Sequence, residues 1–228
     1  MVKSHRYCVA FSGVIREHLR ELEQFIGQHT YERNQVVYFM DDPSDELYLI
    51  DSGRVKVVRV STEGKEKIID IYQEGDFFGE LCICGGGKRA DQAIAIEPTA
   101  VTSFKIKALL KLLPKKPELS LDLLLLYCGR LTEAQDQIAT LAFDNIPQRL
   151  AKEILRLSQS TDSRQENGGM RLGITLTHEE LAGLVGTSRE IITTVMNQFR
   201  HQGLVDYTRR NISVFPDRVE QYLNRTHL

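Results

Sequence analysis

The sequence predicts an α+β chain in three parts: a rolled sheet of short strands, one long helix, and a helical hairpin closed by a β-hairpin. Three observations carry that prediction. From Gln35 to Lys105 the chain runs in short apolar segments punctuated by turn residues, which suits a rolled sheet or jelly roll. Leu124, Leu131 and Ile138 recur every seven residues in a helical stretch of about three heptads. Two T-x-x-E boxes, Thr177 with Glu180 and Thr187 with Glu190, open consecutive helical segments.

The elements follow in order. Val14 to Ile26 reads as a helix, with Leu19, Leu22, Phe25 and Ile26 on one side. Strands are expected at Gln35–Phe39, Glu46–Ile50, Arg54–Val60, Lys67–Tyr72, Ala93–Ile96 and Val101–Ile106. Asp51-Ser52-Gly53 and Thr62-Glu63-Gly64-Lys65 supply turns between them. A long helix is expected from Leu119 to Phe143. Leu124, Tyr127, Leu131, Ala134, Ile138 and Leu141 form its seam for pairing with a second copy, and Leu123, Leu125 and Leu126 give it a second apolar face toward the rolled sheet. Asn145-Ile146-Pro147 interrupts this helix as a hinge, because proline biases its predecessor away from α geometry. Pro147 then suits position N1 of a helix over Gln148 to Leu157.

Ser158 to Gly173 is polar and reads as a loop. In the hairpin that follows, Leu181, Leu184 and Val185 line the first helix, and Gly186 makes the sharp turn. Ile191, Val195 and Phe199 are the expected inner face of the second helix. Beyond Gly203, Leu204–Tyr207 and Ile212–Phe215 flank a polar tip, so they read as a β-hairpin. The expected domains are residues 1–117, 118–144 and 145–228.

Bulk properties narrow the function. The 228 residues carry a net charge of −2. Residues 1–144 hold 18 Lys+Arg against 22 Asp+Glu, and residues 145–228 hold 11 against 9, so a mildly basic module follows an acidic one. The longest aliphatic run, Leu123 to Leu126, is far too short for a bilayer span, so a cytoplasmic protein with no membrane partner is expected. Cys8, Cys82, Cys84 and Cys128 form no C-x-x-C pair, and the six histidines show no metal spacing. No nucleophile–base–orienter set is visible, so an enzyme is not expected.

Two constellations remain. The outer face of the second hairpin helix offers Ser188, Arg189, Glu190, Thr193, Thr194 and Gln198, with Thr177 and Thr187 at the helix starts. Arginine presents a planar fork matching guanine O6 and N7, and glutamate accepts from the cytosine amino group, so this helix suits the major groove. The β-hairpin then forms a wing with Arg209 and Arg210 at its tip, placed for phosphate oxygens. The other constellation is Gly75-Asp76-Phe77-Phe78-Gly79-Glu80-Leu81 with Arg89-Ala90. Free N–H groups at Gly79 to Leu81 suit an anionic oxygen, Arg89 can close on the same anion, and Glu80 can accept from a sugar hydroxyl. A structural Glu80–Arg89 ion pair is the competing reading.

Leu49-Ile50-Asp51-Ser52-Gly53, Gly75 to Leu81 and Arg89-Ala90 resemble the phosphate-binding cassette of cyclic-nucleotide-binding domains. Leu141-Ala142-Phe143 and Val185-Gly186-Thr187-Ser188-Arg189-Glu190 resemble the CRP/FNR family of bacterial transcription regulators, and the likeness runs from about Val36 to Phe215. The resemblance implies a β-roll sensor domain, a long dimerisation helix and a C-terminal winged helix-turn-helix. It also implies a homodimer on a double-stranded, pseudo-palindromic operator, with RNA polymerase as a further partner.

By the same resemblance, Glu80 meets the ribose 2′-hydroxyl, and Arg89, Ala90 and the Gly79 to Leu81 backbone hold the cyclic phosphate. Where cAMP-responsive members place hydroxyls against adenine, this chain has Ala134 and Gln135, of which only Gln135 can donate. The effector is thus left open: cAMP, another cyclic nucleotide, another anion, or none. Thr194 stands where a third base-contacting residue is often arginine. No metal, haem or iron–sulfur cluster is expected, since only Cys8 lies near the N-terminus; Cys82 and Cys84 are at most a thiol switch. The rival readings are an effector-independent regulator and a cyclic-nucleotide-binding subunit whose C-terminal module binds protein.

Overall fold

The computed structural model describes residues 26–81, 87–160, 162–166, 168–208 and 211–226. The helix expected over Val14 to Ile26 lies outside them except for Ile26, which opens a strand. The described residues form two compact units that divide between Thr132 and Glu133.

The first unit holds β1 (Ile26–Tyr31), β2 (Val36–Tyr38), β3 (Glu46–Ser52), β4 (Arg54–Val60), β5 (Glu66–Gln73), β6 (Phe77–Phe78), β7 (Gln92–Ala95) and β8 (Thr99–Lys105). They pair antiparallel in two four-stranded sheets, ordered β1-β8-β3-β6 and β2-β7-β4-β5. All six expected strands are present; β1 and β6 are additional. β3 shows why the sheets roll. Its residues Leu47 to Ile50 are all buried, because both of its faces are covered. Tyr48 and Ile50 pack with Tyr38, Val55, Val57 and Phe78. Leu47 and Leu49 pack instead with Phe77, Phe104 and the helices that follow.

Those helices are α1 (Ile106–Leu112), a 3-10 turn (Leu113–Lys115) and α2 (Pro117–Phe143). Leu119, Leu123 and Leu126 of α2 seal the outer layer, as a second apolar face requires. Leu125, expected with them, is exposed instead. Tyr127, expected in the seam, turns toward this same core, and its hydroxyl donates to Glu80 O at 2.9 Å. The exposed face of α2 in this unit is Leu121, Leu124, Cys128 and Leu131; Leu124 is 58% and Leu131 61% exposed. A heptad column can begin at Leu124 or one turn earlier at Leu121, and only the packing of Tyr127 decides which neighbours share the seam.

The second unit holds the end of α2, then α3 (Ile146–Ser158), β9 (Arg164–Glu166), β10 (Gly169–Arg171), α4 (His178–Val185), α5 (Arg189–His201), β11 (Val205–Tyr207), β12 (Ile212–Val214) and α6 (Pro216–Thr226). Ala134, Gln135, Ile138 and Leu141 are exposed here, Ile138 at 66%. The sheet order is β11-β12-β10-β9, so the expected loop over Ser158 to Gly173 contains a hairpin joined to the wing. The corner at Asp144 and Asn145 is tied rather than loose. Asn145 and Gln148 form a reciprocal capping box, and the helix begins at Ile146, one residue before Pro147. Arg149 donates to Asp144 O and Leu141 O at 3.0 and 2.8 Å, and Lys152 pairs with the buried Asp144 carboxylate at 2.5 Å. No helix among the described residues is long and apolar enough to cross a membrane.

Candidate DNA-reading surface and effector pocket

The reading surface starts from two helix ends. Thr177 caps α4: its hydroxyl accepts from Glu180 N at 3.1 Å, and Glu180 Oε2 accepts from both Thr177 N and Thr177 Oγ1. The predicted box is therefore present, and it commits the Thr177 hydroxyl to the helix end. α4 buries Leu181, Leu184 and Val185 and ends at Gly186, whose φ of 79° is left-handed and favours a residue without a Cβ.

The second predicted box does not form. The N-cap of α5 is Ser188 rather than Thr187, and no side chain caps it. Ile192, Val195, Met196 and Phe199 form the buried face, whereas the expected Ile191 is 42% exposed.

The consequence is an open N-terminal turn. Ser188, Arg189, Glu190, Thr194 and Gln198 are exposed, and Thr187 and Thr193 are half-buried. The Glu190 carboxylate is held below its ordinary range by its own backbone N–H, then by the Ser188 hydroxyl. Thr193 and Thr194 donate to Arg189 O and Glu190 O at 2.9 and 3.1 Å, so their hydroxyl protons serve the helix while their oxygens remain acceptors. Arg209 and Arg210 lie outside the described residues.

Sequence reasoning missed a second layer of this surface. His178 Nδ1 lies 2.9 Å from Thr193 Oγ1, and its ring stands edge-on to Tyr207 of the wing at 5.5 Å. Tyr207 in turn donates to Asn197 Oδ1 at 2.8 Å and lies under the Arg200 guanidinium. The first hairpin helix, the reading helix and the wing are thereby joined at one edge. Only the T-H-E-E sequence at the helix start hinted at it, and a lone histidine there carries little signal.

The cassette in the first unit takes a different form from that expected. Gly79 has a φ of 78°, and a Cβ there would come within 2.8 Å of Arg89 Nη1, so the backbone closes directly on the guanidinium. Arg89 is only 4% exposed. It donates to Gly79 O at 2.8 Å and Glu46 O at 2.6 Å and stacks over Tyr38, 4.3 Å from the ring centre. Its Nε is buried with no hydrogen-bond partner. The supposed Glu80–Arg89 pair is replaced. Glu80, 8% exposed, pairs with Arg130 of α2, which also donates to Phe77 O and stacks over Tyr72.

Between the two arginines runs an aromatic stack of Tyr38, Tyr48, Phe78 and Tyr72. Burial pushes the Tyr38 hydroxyl far up, and the neighbouring Asp91 carboxylate, which accepts its proton at 2.9 Å, adds to the effect. Asp91 is itself raised, chiefly by burial. Leu81 and Ala90 are exposed at the cassette's edge, Cys82 and Cys84 fall outside the described residues, and Gln135 belongs to the second unit.

Comparison with known proteins finds a family for each part of the chain. Residues 28–116 match the cyclic nucleotide-binding domain, and residues 148–218 match the Crp-like helix-turn-helix domain. The chain is 33% identical over 204 residues to a CRP-like cAMP-activated global transcriptional regulator of Mycobacterium tuberculosis, covering 90% of this chain and 91% of the relative. It is 28% identical to the global nitrogen regulator of a Nostoc species, over 81% of this chain and 83% of that protein. A CRP/FNR-family transcriptional regulator of Thermus thermophilus superposes with a TM-score of 0.72 at 25% identity, covering 87% and 98% of the two chains. The c-di-GMP responsive global regulator CLP of Xanthomonas campestris shares the fold, with a TM-score of 0.78 at 19% identity over 88% and 99%.

Proposed function

This chain belongs to the CRP/FNR family of transcription regulators, and from that premise we propose that it works as a homodimer whose paired α5 helices read a pseudo-palindromic operator. The observation that carries the reading is the open first turn of α5, where Arg189 and Glu190 stand exposed above a fully packed inner face. Arg189 supplies a bidentate fork for guanine, Glu190 an acceptor for cytosine, and Thr187, Ser188, Thr193 and Thr194 surround them. Thr177 contributes by fixing α4, and Arg209 and Arg210 act on phosphates from the wing. Pairing runs along Leu124, Leu131, Ile138 and Leu141 with Ala134 between them; their exposure leaves an apolar face that a second α2 covers.

The sensor takes a ligand with a cyclic phosphate and a sugar, in which Arg89 meets the phosphate and Glu80 a hydroxyl. The unpartnered Nε of Arg89 is the free donor that favours an anion. Ala134 and Gln135 leave the base unspecified. A second reading, an effector-independent regulator, is favoured by the own-chain partners that both Arg89 and Glu80 already have. Calorimetry with cAMP, cGMP and c-di-GMP separates the two, because Arg89→Ala abolishes heat only if a ligand binds there. The regulator acts in the cytoplasm and contacts RNA polymerase.

The DNA reading is tested by enrichment of duplexes from a random-sequence pool. A two-fold symmetric site is expected. Arg189→Ala costs about 1–3 kcal/mol on it and relaxes one base pair per half-site. Equal weakening on every sequence rejects a base-reading role for Arg189.

A further inference from the structure

We propose that His178 is a proton-dependent anchor for the DNA backbone, so that duplex binding by this chain takes up a proton at the start of α4. The inference rests on the DNA-reading assignment and extends it to the residue that grips phosphate.

The geometry decides which nitrogen carries the proton. Thr193 has a single hydroxyl proton and donates it to Arg189 O at 2.9 Å. Its oxygen can therefore only accept from His178 Nδ1, 2.9 Å away. Nδ1 thus keeps its hydrogen in every protonation state. In the neutral ring Nε2 then bears a lone pair, and a phosphate oxygen placed beside it meets acceptor against acceptor. In the imidazolium Nε2–H donates, and the pair becomes charge-assisted. Phosphate binding at this point therefore selects the protonated ring.

The surroundings place that nitrogen where a backbone passes. His178 is the first residue of α4, and in a helix-turn-helix the first helix crosses the duplex backbone while the second enters the groove. Its ring packs between Thr193 of the reading helix and Tyr207 of the wing, and the residue is half-buried rather than enclosed.

The charges around it set the free ring in the neutral state. Burial, then the Arg189 guanidinium on α5, hold the imidazole below its ordinary value. The wing contributes Tyr207, over whose ring lies Arg200, itself paired with Asp206 at 3.4 Å. On α4 itself Glu179 is exposed, and Glu180 is turned back into the cap. Without DNA the ring is thus neutral near neutral pH; a bound phosphate opposes both depressing influences. The sign follows: the complex binds more protons than the free protein, so affinity rises as pH falls.

The probe is a duplex enriched by the full-length protein from a random-sequence pool. Between about pH 8 and pH 6 wild-type affinity should rise, by at most tenfold per unit, while His178→Gln shows a flat profile. His178→Lys should be flat and tight, since its charge is permanent over that range. At the lower pH the salt slope of wild type should exceed that of His178→Gln by about 0.9, the loss of one phosphate contact. Independently of any variant, the His178 ring nitrogens followed by NMR should titrate at higher pH when the duplex is added. A pH profile shared by wild type and His178→Gln, or a His178 titration unmoved by DNA, overturns the inference while the DNA-binding reading stands. Failure to enrich any duplex overturns both.

Discussion

The two sites treat charge in opposite ways. In the sensor, Arg89 and Glu80 are buried and closed on the chain itself, Arg89 on two carbonyls and a tyrosine ring, Glu80 on Arg130. On α5, Arg189 and Glu190 stand exposed to solvent at the helix start. Burial makes an unpaired charge costly, so the sensor must satisfy its charges internally before any ligand arrives. Water solvates the reading helix at no such cost and gives way to a polar duplex. The first arrangement asks a ligand to displace existing partners. The second offers its donors directly.

That contrast can be broken by mutation. The largest effect is expected for Arg130→Ala, which strands the Glu80 carboxylate and should cost about 3–5 kcal/mol in urea denaturation. A cost below about 1 kcal/mol would mean that water reaches Glu80 and that the sensor's charges are not held as described. Thr177→Val removes the α4 cap and should cost about 1 kcal/mol, read in the same way. Arg189→Ala should leave stability within about 0.5 kcal/mol while weakening operator binding, the signature of a group that serves a partner rather than the fold. Smallest of all, Lys65→Ala at the exposed Glu63–Lys65 pair should change stability by less than about 1 kcal/mol, and salt should erase even that.

Much of this was legible in the residues, and the misses have physical causes. The Thr177–Glu180 box and Gly186 were readable because caps and left-handed turns depend on local chemistry alone. Thr187 and Glu190 have the same spacing, yet the helix starts from Ser188, since burial of Ile192 rather than its neighbour Ile191 sets the phase. β1 and the β9–β10 hairpin carry little sequence signal, because His29, Thr30 and Arg164 to Glu166 are exposed and show no apolar alternation. α6 does carry a local signal, Pro216 at its start with Val219 and Leu223 on one face.

In the cassette the residue types were readable and the partners were not. Arg89 and Glu80 lie nine residues apart in sequence, whereas Arg130 reaches Glu80 from fifty residues away on another element. Only the packing of α2 on the sheet brings those charges together. The seam on α2 was found by its heptads, but Tyr127 was misassigned because its hydroxyl has a partner in the sheet that periodicity does not reveal.

In the proposed complex two copies of the open α5 end enter one face of a duplex. Hydroxyl-radical footprinting of the enriched duplex tests it most directly. Two protected patches related by two-fold symmetry are expected, with their centres about 34 Å apart, both lost together in Arg189→Ala at a protein concentration that saturates wild type. A single unsymmetrical patch, or protection unchanged by that substitution, would contradict it.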